Sequence, residues 1–191
     1  MTGPRVSVRE AASADAESIA DVHAASIREL GSDEYEDRQL RAWLSNVHPE
    51  RYPLEEPGFL IVVAEREHGA DSGAGDDTAP DAGSNTDTAD GIVGFGLLDC
   101  KPSDRDESTG EIGAVYVHPD HAREGVGRTI LAALESAARE EGLETLVLTA
   151  SRNAIDFYRD RAYEGIETVS LEMEEGVELE CLRMQRTIQS A

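Results

Sequence analysis

Residues 115 to 135, Val-Tyr-Val-His-Pro-Asp-His-Ala-Arg-Glu-Gly-Val-Gly-Arg-Thr-Ile-Leu-Ala-Ala-Leu-Glu, are the part of this 191-residue chain best arranged for chemistry. An apolar strand runs into a turn at Pro119, and Gly125 and Gly127 then open an amphipathic helix. A helix start presents unpaired N–H groups and the positive end of its dipole, and glycines let an anion approach the backbone, so a phosphate or pyrophosphate suits it. Two nucleotide motifs are excluded. A dinucleotide fingerprint needs a third glycine where Ile130 stands, and a P-loop needs Gly-Lys-Ser/Thr, whereas the sole lysine is Lys101. The same glycines also fit a tight strand-turn-helix connection that binds nothing.

A second cluster follows downstream. Ser151-Arg152-Asn153-Ala154-Ile155-Asp156-Phe157-Tyr158-Arg159 leaves an apolar strand and enters a short helix, with an amide at Asn153 and a phenol at Tyr158. By itself Tyr158 fits a core aromatic beside Phe157 as well as it fits a proton donor of pKa about 10.

Hydrophobic periodicity supplies the elements that must carry these groups. Val6 and Val8 alternate with polar neighbours as a short strand. Ser13, with Glu17 near the N3 position of a capping box, is expected to open a helix whose apolar positions include Ile19, Val22, Ile27 and Leu30 and which Gly31 closes. A second helix is expected over residues 34–44, before Pro49, Pro53 and Pro57 impose a loop. Phe59 to Ala64 is an unbroken apolar run, read as a buried strand, with residues 92–98 as its hairpin partner. Residues 68–90, between these two strands, have almost nothing to bury and are expected to form an acidic flexible insertion. Then come a strand over 111–117, the glycine-opened helix over 125–141, a buried strand over 145–149 and a short helix over 153–161. Two closing strands, 166–173 and 177–187, turn at Gly176. This order predicts one α/β (α+β) domain over residues 1–191, with a mixed, mostly antiparallel sheet of six to seven strands, about four helices and one parallel crossover.

The segment from Ala122 to Gly127, the strand before it and the Asn-Ala-x-x-Phe-Tyr segment at 153–158 together resemble the Gcn5-related N-acetyltransferase (GNAT) superfamily. The element order agrees from about residue 5 to 187, with only the 68–90 insertion outside it. The resemblance implies acetyl-coenzyme A as cosubstrate, lying in a wedge where two parallel strands splay apart. Its pyrophosphate would meet the backbone N–H groups of Arg123, Glu124, Gly125, Val126, Gly127 and Arg128, with Arg128 and Arg123 adding positive charge. The pantetheine arm would pair like an added strand with Val115, Tyr116 and Val117, and Asn153 would hydrogen-bond that arm or the cofactor beyond it. Tyr158 matches the acid that protonates a departing thiolate of pKa about 8.5 to 9. Glu111 matches the glutamate base of histone-acetylating members, and fits a solvated strand end equally well. Ala114 removes the acid that many small-molecule members carry near there. Two departures stand out: Ala122 replaces the usual Gln or Arg, which leaves a backbone cradle, and Ala162-Tyr163 replaces a common Gly-Phe, read as a packing variation. Trp43, His23, His48 and Tyr52 are candidate walls for the acceptor, expected to be a small-molecule or peptide amine.

Composition narrows the alternatives. Forty acidic residues against 17 basic ones give a net charge of −23, spread over every segment. No basic stripe exists to bind nucleic acid. Solvated carboxylates suit concentrated salt, where a Debye length of roughly 3 Å at 1 M mutes their repulsion, so a halophilic source is expected, ahead of recruitment of cationic partners. Cys100, Cys181 and the five histidines show no chelating or disulfide pattern, so no metal is expected and the cytoplasm is the expected compartment. No apolar run reaches transmembrane length, so no membrane partner is expected. Neither cysteine sits in a nucleophile motif, which favours direct transfer in a ternary complex over an acyl-enzyme. The competing class is a non-catalytic acyl-CoA-binding sensor on the same fold. A homodimer through a sheet edge or the terminal hairpin is compatible with this order of elements.

Overall fold

An unbroken apolar strand needs cover on both faces, and the fold supplies it. The computed structural model describes residues 6–66 and 91–188. Its strands are β1 (Val6–Glu10), β2 (Phe59–Arg66), β3 (Ile92–Asp99), β4 (Thr109–Val117), β5 (Thr145–Ser151), β6 (Glu164–Glu172) and β7 (Glu178–Thr187). The helices are α1 (Ala16–Leu30), α2 (Asp37–Leu44), α3 (Val126–Glu140) and the short α4 (Ile155–Arg159). All seven strands share one sheet, ordered β1-β2-β3-β4-β5-β7-β6, antiparallel throughout except for the parallel pair β4–β5. The expected class and strand count are met. The insertion expected at 68–90 lies outside the described residues.

Burial follows from alternation. In β2, Val62 and Ala64 pack under α3 with Ile130, Leu134 and Leu146. Ile61 and Val63 point the other way, to Ile19 and Val22 of α1 and Phe95 of β3. A third cluster joins Ile27, Tyr35 and Leu40 to Leu179 and Cys181 of β7. Thus α3 covers one face, and α1 with α2 covers the other. β6 lies at the sheet edge, largely exposed along its length.

Two helix ends differ from the sequence reading. Ser13 does not cap α1; residues Ser13–Asp15 form a 3-10 turn, and the Asp15 carboxylate accepts from the Ala12 N–H at 2.7 Å. Arg9 then holds Asp15 at 2.7 Å and Glu65 at 2.7 Å, so the start of α1 is fixed to β1 and β2 by a charged bridge. The short helix expected over 153–161 splits into a 3-10 turn, Arg152–Ala154, and α4, which ends at Arg159. It ends through Ala162 at φ +61°, while the Tyr163 N–H donates to the Tyr158 carbonyl at 3.1 Å. The Ala162 departure is therefore a backbone matter, not a packing variation: the position wants a left-handed residue and alanine carries a Cβ. Ala162→Gly is expected to raise the unfolding free energy by about 1 kcal/mol, seen as a higher denaturant midpoint at unchanged m.

Candidate active site

β4 and β5 stay in register only from Thr109↔Thr145 to Ile112↔Leu148. Beyond that point β4 follows β3 as far as Val117↔Gly94, and β5 follows β7 as far as Ser151↔Cys181. Among the described residues, the facing edges of 113–117 and 149–151 have no strand partner, and an unpaired peptide edge must find hydrogen bonds elsewhere. Two cavities open along this parting. One, of about 320 Å³, reaches from Glu111 to Trp43 and the β6–β7 hairpin. The other, of about 160 Å³, runs past Val115, Val117, Gly127, Asn153 and Phe157 toward α1. Tyr158, Tyr116 and Trp43 line both.

A bulge decides what faces these cavities. Leu97 pairs with Ala114 and Leu98 with Ile112, so Gly113 is an extra residue in β4. In a regular strand Glu111 and Tyr116 would point to opposite faces, because side chains alternate. The bulge reverses that parity. Ala114 and Tyr116 join the α1 side of the sheet, and Ile112, Val115 and Val117 pack on the α3 side. Glu111, which pairs with Asp99 two places from Leu97, falls on the side of Ala114 and Tyr116.

The glycine loop forms a nest. Gly125 caps α3 at φ +90°, and Arg123 sits at φ +65° two residues earlier. Left-handed residues in such a run turn successive N–H groups inward. Among the described residues, none accepts a hydrogen bond from the backbone N–H groups of residues 123–128. A Cβ on Gly127 would lie 3.3 Å from the Phe157 ring, so α3 and α4 meet there at close contact. The Arg161 guanidinium stacks 3.8 Å from the same ring's centre. Burial, and then the neighbouring Arg128 charge, push the Arg161 pKa down. Glu124, the acid of the loop, is held by His121 at 3.1 Å.

Tyr158 is buried, edge-on to Phe157 at 5.0 Å and to Tyr163 at 5.6 Å. Burial pushes its phenol well above the ordinary value. Glu111 is half-buried, and burial raises its carboxyl despite the opposing pull of Arg105. The Tyr116 ring stacks on Phe95 at 5.5 Å, lies tilted against His23 at 4.0 Å and meets the Trp43 ring edge-on at 6.5 Å. His23 shares a 3.0 Å hydrogen bond with Tyr52, and burial pushes its pKa down to about 4. Tyr35 is pinned firmly: its hydroxyl donates to the Glu180 carbonyl at 2.9 Å and accepts from the Arg152 N–H at 3.0 Å.

The structure therefore brings Val115, Tyr116, Val117, Gly127, Asn153 and Tyr158 around one cavity, and Glu111 and Tyr158 around the other. Arg123, Glu124, Gly125 and Arg128 are exposed at the start of α3, while Val126 is buried beneath them. Of the candidate acceptor walls, Trp43 lines both cavities. His23 and Tyr52 pack behind Tyr116, and His48 is exposed ahead of a 3-10 turn. Sequence reasoning passed over Arg161, Leu171 and Met173. Arg161 stands four residues after Phe157, but the chain has left the helix by then, so periodicity gave no sign of the stacking.

A mixed sheet with its one parallel pair parted over a helix-start nest is the architecture of a GNAT-type acyltransferase. The model of the acetyltransferase (GNAT) family matches residues 24–163, well over half of the chain, and the protein belongs to that family. The amino-acid acetyltransferase of Ectopseudomonas mendocina (strain ymp) is 37% identical over 59 residues, which are 31% of this chain and 13% of that protein. The chain thus matches a small fraction of that relative's length. A Gcn5-related N-acetyltransferase from Rhodopseudomonas palustris superposes with a TM-score of 0.72 at 25% identity, covering 98% of each chain. The PaiA N-acetyltransferase of Thermoplasma acidophilum, solved in complex with coenzyme A, superposes with a TM-score of 0.66 at 14% identity, over 96% of this chain and 99% of that one.

The loop makes a conformational demand that can be tested apart from any ligand. Nothing lies within 4 Å of a Cβ placed on Gly125, so its requirement is the positive φ. Gly125→Val is expected to cost about 1–2 kcal/mol of stability, and Gly125→Asn clearly less, in matched denaturation curves.

Proposed function

We propose that the protein is an acetyl-CoA-dependent N-acetyltransferase that moves an acetyl group to an amine by direct attack in a ternary complex. The observation that carries this is Tyr158, whose side chain lines both the cavity beside the glycine loop and the cavity that holds Glu111. A thiol leaving from one side and an amine arriving from the other would both come within its reach.

The residues present fit the cosubstrate. The free N–H groups of residues 123–128 suit a pyrophosphate. Arg128, Arg123 and Arg161 supply cations beside it, and the His121 contact draws the Glu124 carboxylate aside. The unpartnered edge of Val115–Val117 suits an amide-bearing arm laid along it, with Asn153 at the cavity wall. When bound, acetyl-coenzyme A supplies an acyl group activated as a thioester.

Glu111 takes the proton that the amine sheds. Burial raises its pKa, which makes its carboxylate a better base than a solvated one. Tyr158 gives its hydroxyl proton to the departing sulfur. Burial keeps the phenol protonated, so its proton is in place when a thiolate forms beside it.

Thiol release from acetyl-coenzyme A with a panel of amines, alongside coenzyme A binding by calorimetry, tests this reading. Tyr158→Phe is expected to lower kcat by about 10²- to 10⁴-fold with coenzyme A affinity unchanged. Because Glu111 acts only when deprotonated, kcat/KM is expected to rise with pH through the Glu111 pKa, and Glu111→Gln should abolish that limb. Cofactor binding without thiol release from any amine would make the protein a sensor instead.

A further inference from the structure

Resting on that reading, we propose that the acceptor is a monoamine on an apolar, ring-sized body, not a free amino acid and not a polyamine. The cavity that holds Glu111 is walled by Trp43, Ala114, Leu171, Met173 and Leu179, with Tyr158 at its back. Among the described residues, Glu111 is the only charged side chain in that wall. It offers one site for one ammonium.

Among the described residues, no cationic side chain lines that wall to meet a substrate carboxylate. Arg105 and Arg183, whose charges act on Glu111, do not line the cavity. Arg105 faces Asp104 at 3.6 Å, and Arg183 pairs with Glu167 at 3.0 Å. A carboxylate would be desolvated against apolar side chains and repelled by Glu111. A second ammonium meets the same walls. The carboxylates of Asp33, Glu34, Glu36 and Glu178 line a separate depression that also holds Arg38 and Arg152 and shares no lining residue with this cavity, so none of them joins Glu111 in that wall.

The apolar wall also runs outward. Leu171 of β6 is 38% exposed and stands among glutamates and other polar residues, Glu167, Ser170 and Glu172 among them. An apolar substrate body seated beside it would cover that surface. In the transfer itself a C–N bond replaces the C–S bond: the ammonium loses one proton to Glu111, the neutral amine attacks, the Tyr158 proton passes to the departing sulfur, and the second proton shed by nitrogen restores the Tyr158 hydroxyl.

The experiment compares phenethylamine, phenylalanine and 1,4-diaminobutane as acceptors in thiol release from acetyl-coenzyme A. The first two differ by one carboxylate; the third replaces the ring with a second amine. The expected kcat/KM for phenethylamine exceeds each of the others by at least tenfold. Leu171→Arg, at a half-exposed edge position that leaves the core intact, is expected to narrow the phenethylamine-to-phenylalanine ratio at least tenfold with coenzyme A affinity unchanged. Equal or better turnover of phenylalanine or diaminobutane overturns the inference and leaves acetyl transfer standing. A ratio that Leu171→Arg does not move also overturns it. Absence of thiol release with all three, while another amine of the panel releases thiol, also overturns the inference; absence with every amine of the panel, while coenzyme A binds, overturns the transferase reading itself.

Discussion

Everything in this protein depends on a parallel strand pair that lets go. β4 and β5 share four residue pairs, Thr109↔Thr145 to Ile112↔Leu148, and then each keeps only its outer neighbour. Backbone amides left without a ladder partner are costly unless something else bonds them, so the parting is at once a defect in the sheet and its most receptive edge. The rest of the fold maintains it. β3 holds β4 on one side and β7 holds β5 on the other. Tyr158, Tyr116 and Trp43 stand along the gap. The start of α3 is directed at its mouth by packing on the same sheet face.

Much of this was legible in the chain. The continuous apolar run Phe59–Ala64 required cover on two sides, and α3 and α1 supply it. The glycines at 125 and 127 marked the helix start because one needs a positive φ and the other a close neighbour. What escaped sequence reasoning depends on partners distant in the chain. The hairpin of β6 and β7 reads identically whichever strand meets β5, and it is β7 that does. The Gly113 bulge is a property of two strands together, so the side of the sheet that Glu111 faces could not be counted from β4 alone. Leu171 and Met173 looked like ordinary hairpin residues until the hairpin swung them to the cavity. Ser13 has the residue type of a cap, but the Arg9 bridge fixes the Asp15 carboxylate at the helix start instead.

Charge is distributed against the trend of the chain at one place. With 40 acidic residues and 17 basic ones, most of the surface repels anions. At the start of α3 the pattern is locally reversed: Arg123 and Arg128 are exposed there, Arg161 lies close to Arg128, and the one carboxylate of the loop is engaged by a histidine. Such a local reversal focuses field where the backbone dipoles already point, and its influence on ligand capture falls as salt shortens the Debye length.

The pinned Tyr35 hydroxyl has a consequence for how this scaffold can change. It ties the α1–α2 connection to the main chain at Arg152 and Glu180, at the ends of the strands beside the gap. Remodelling that connection to admit a new molecule would pull on the framework that keeps the gap open. β6 carries no such load, being exposed and joined to the sheet along one edge only. Change in the residues around the gap therefore disturbs the framework least at the edge strand and most at the α1–α2 connection.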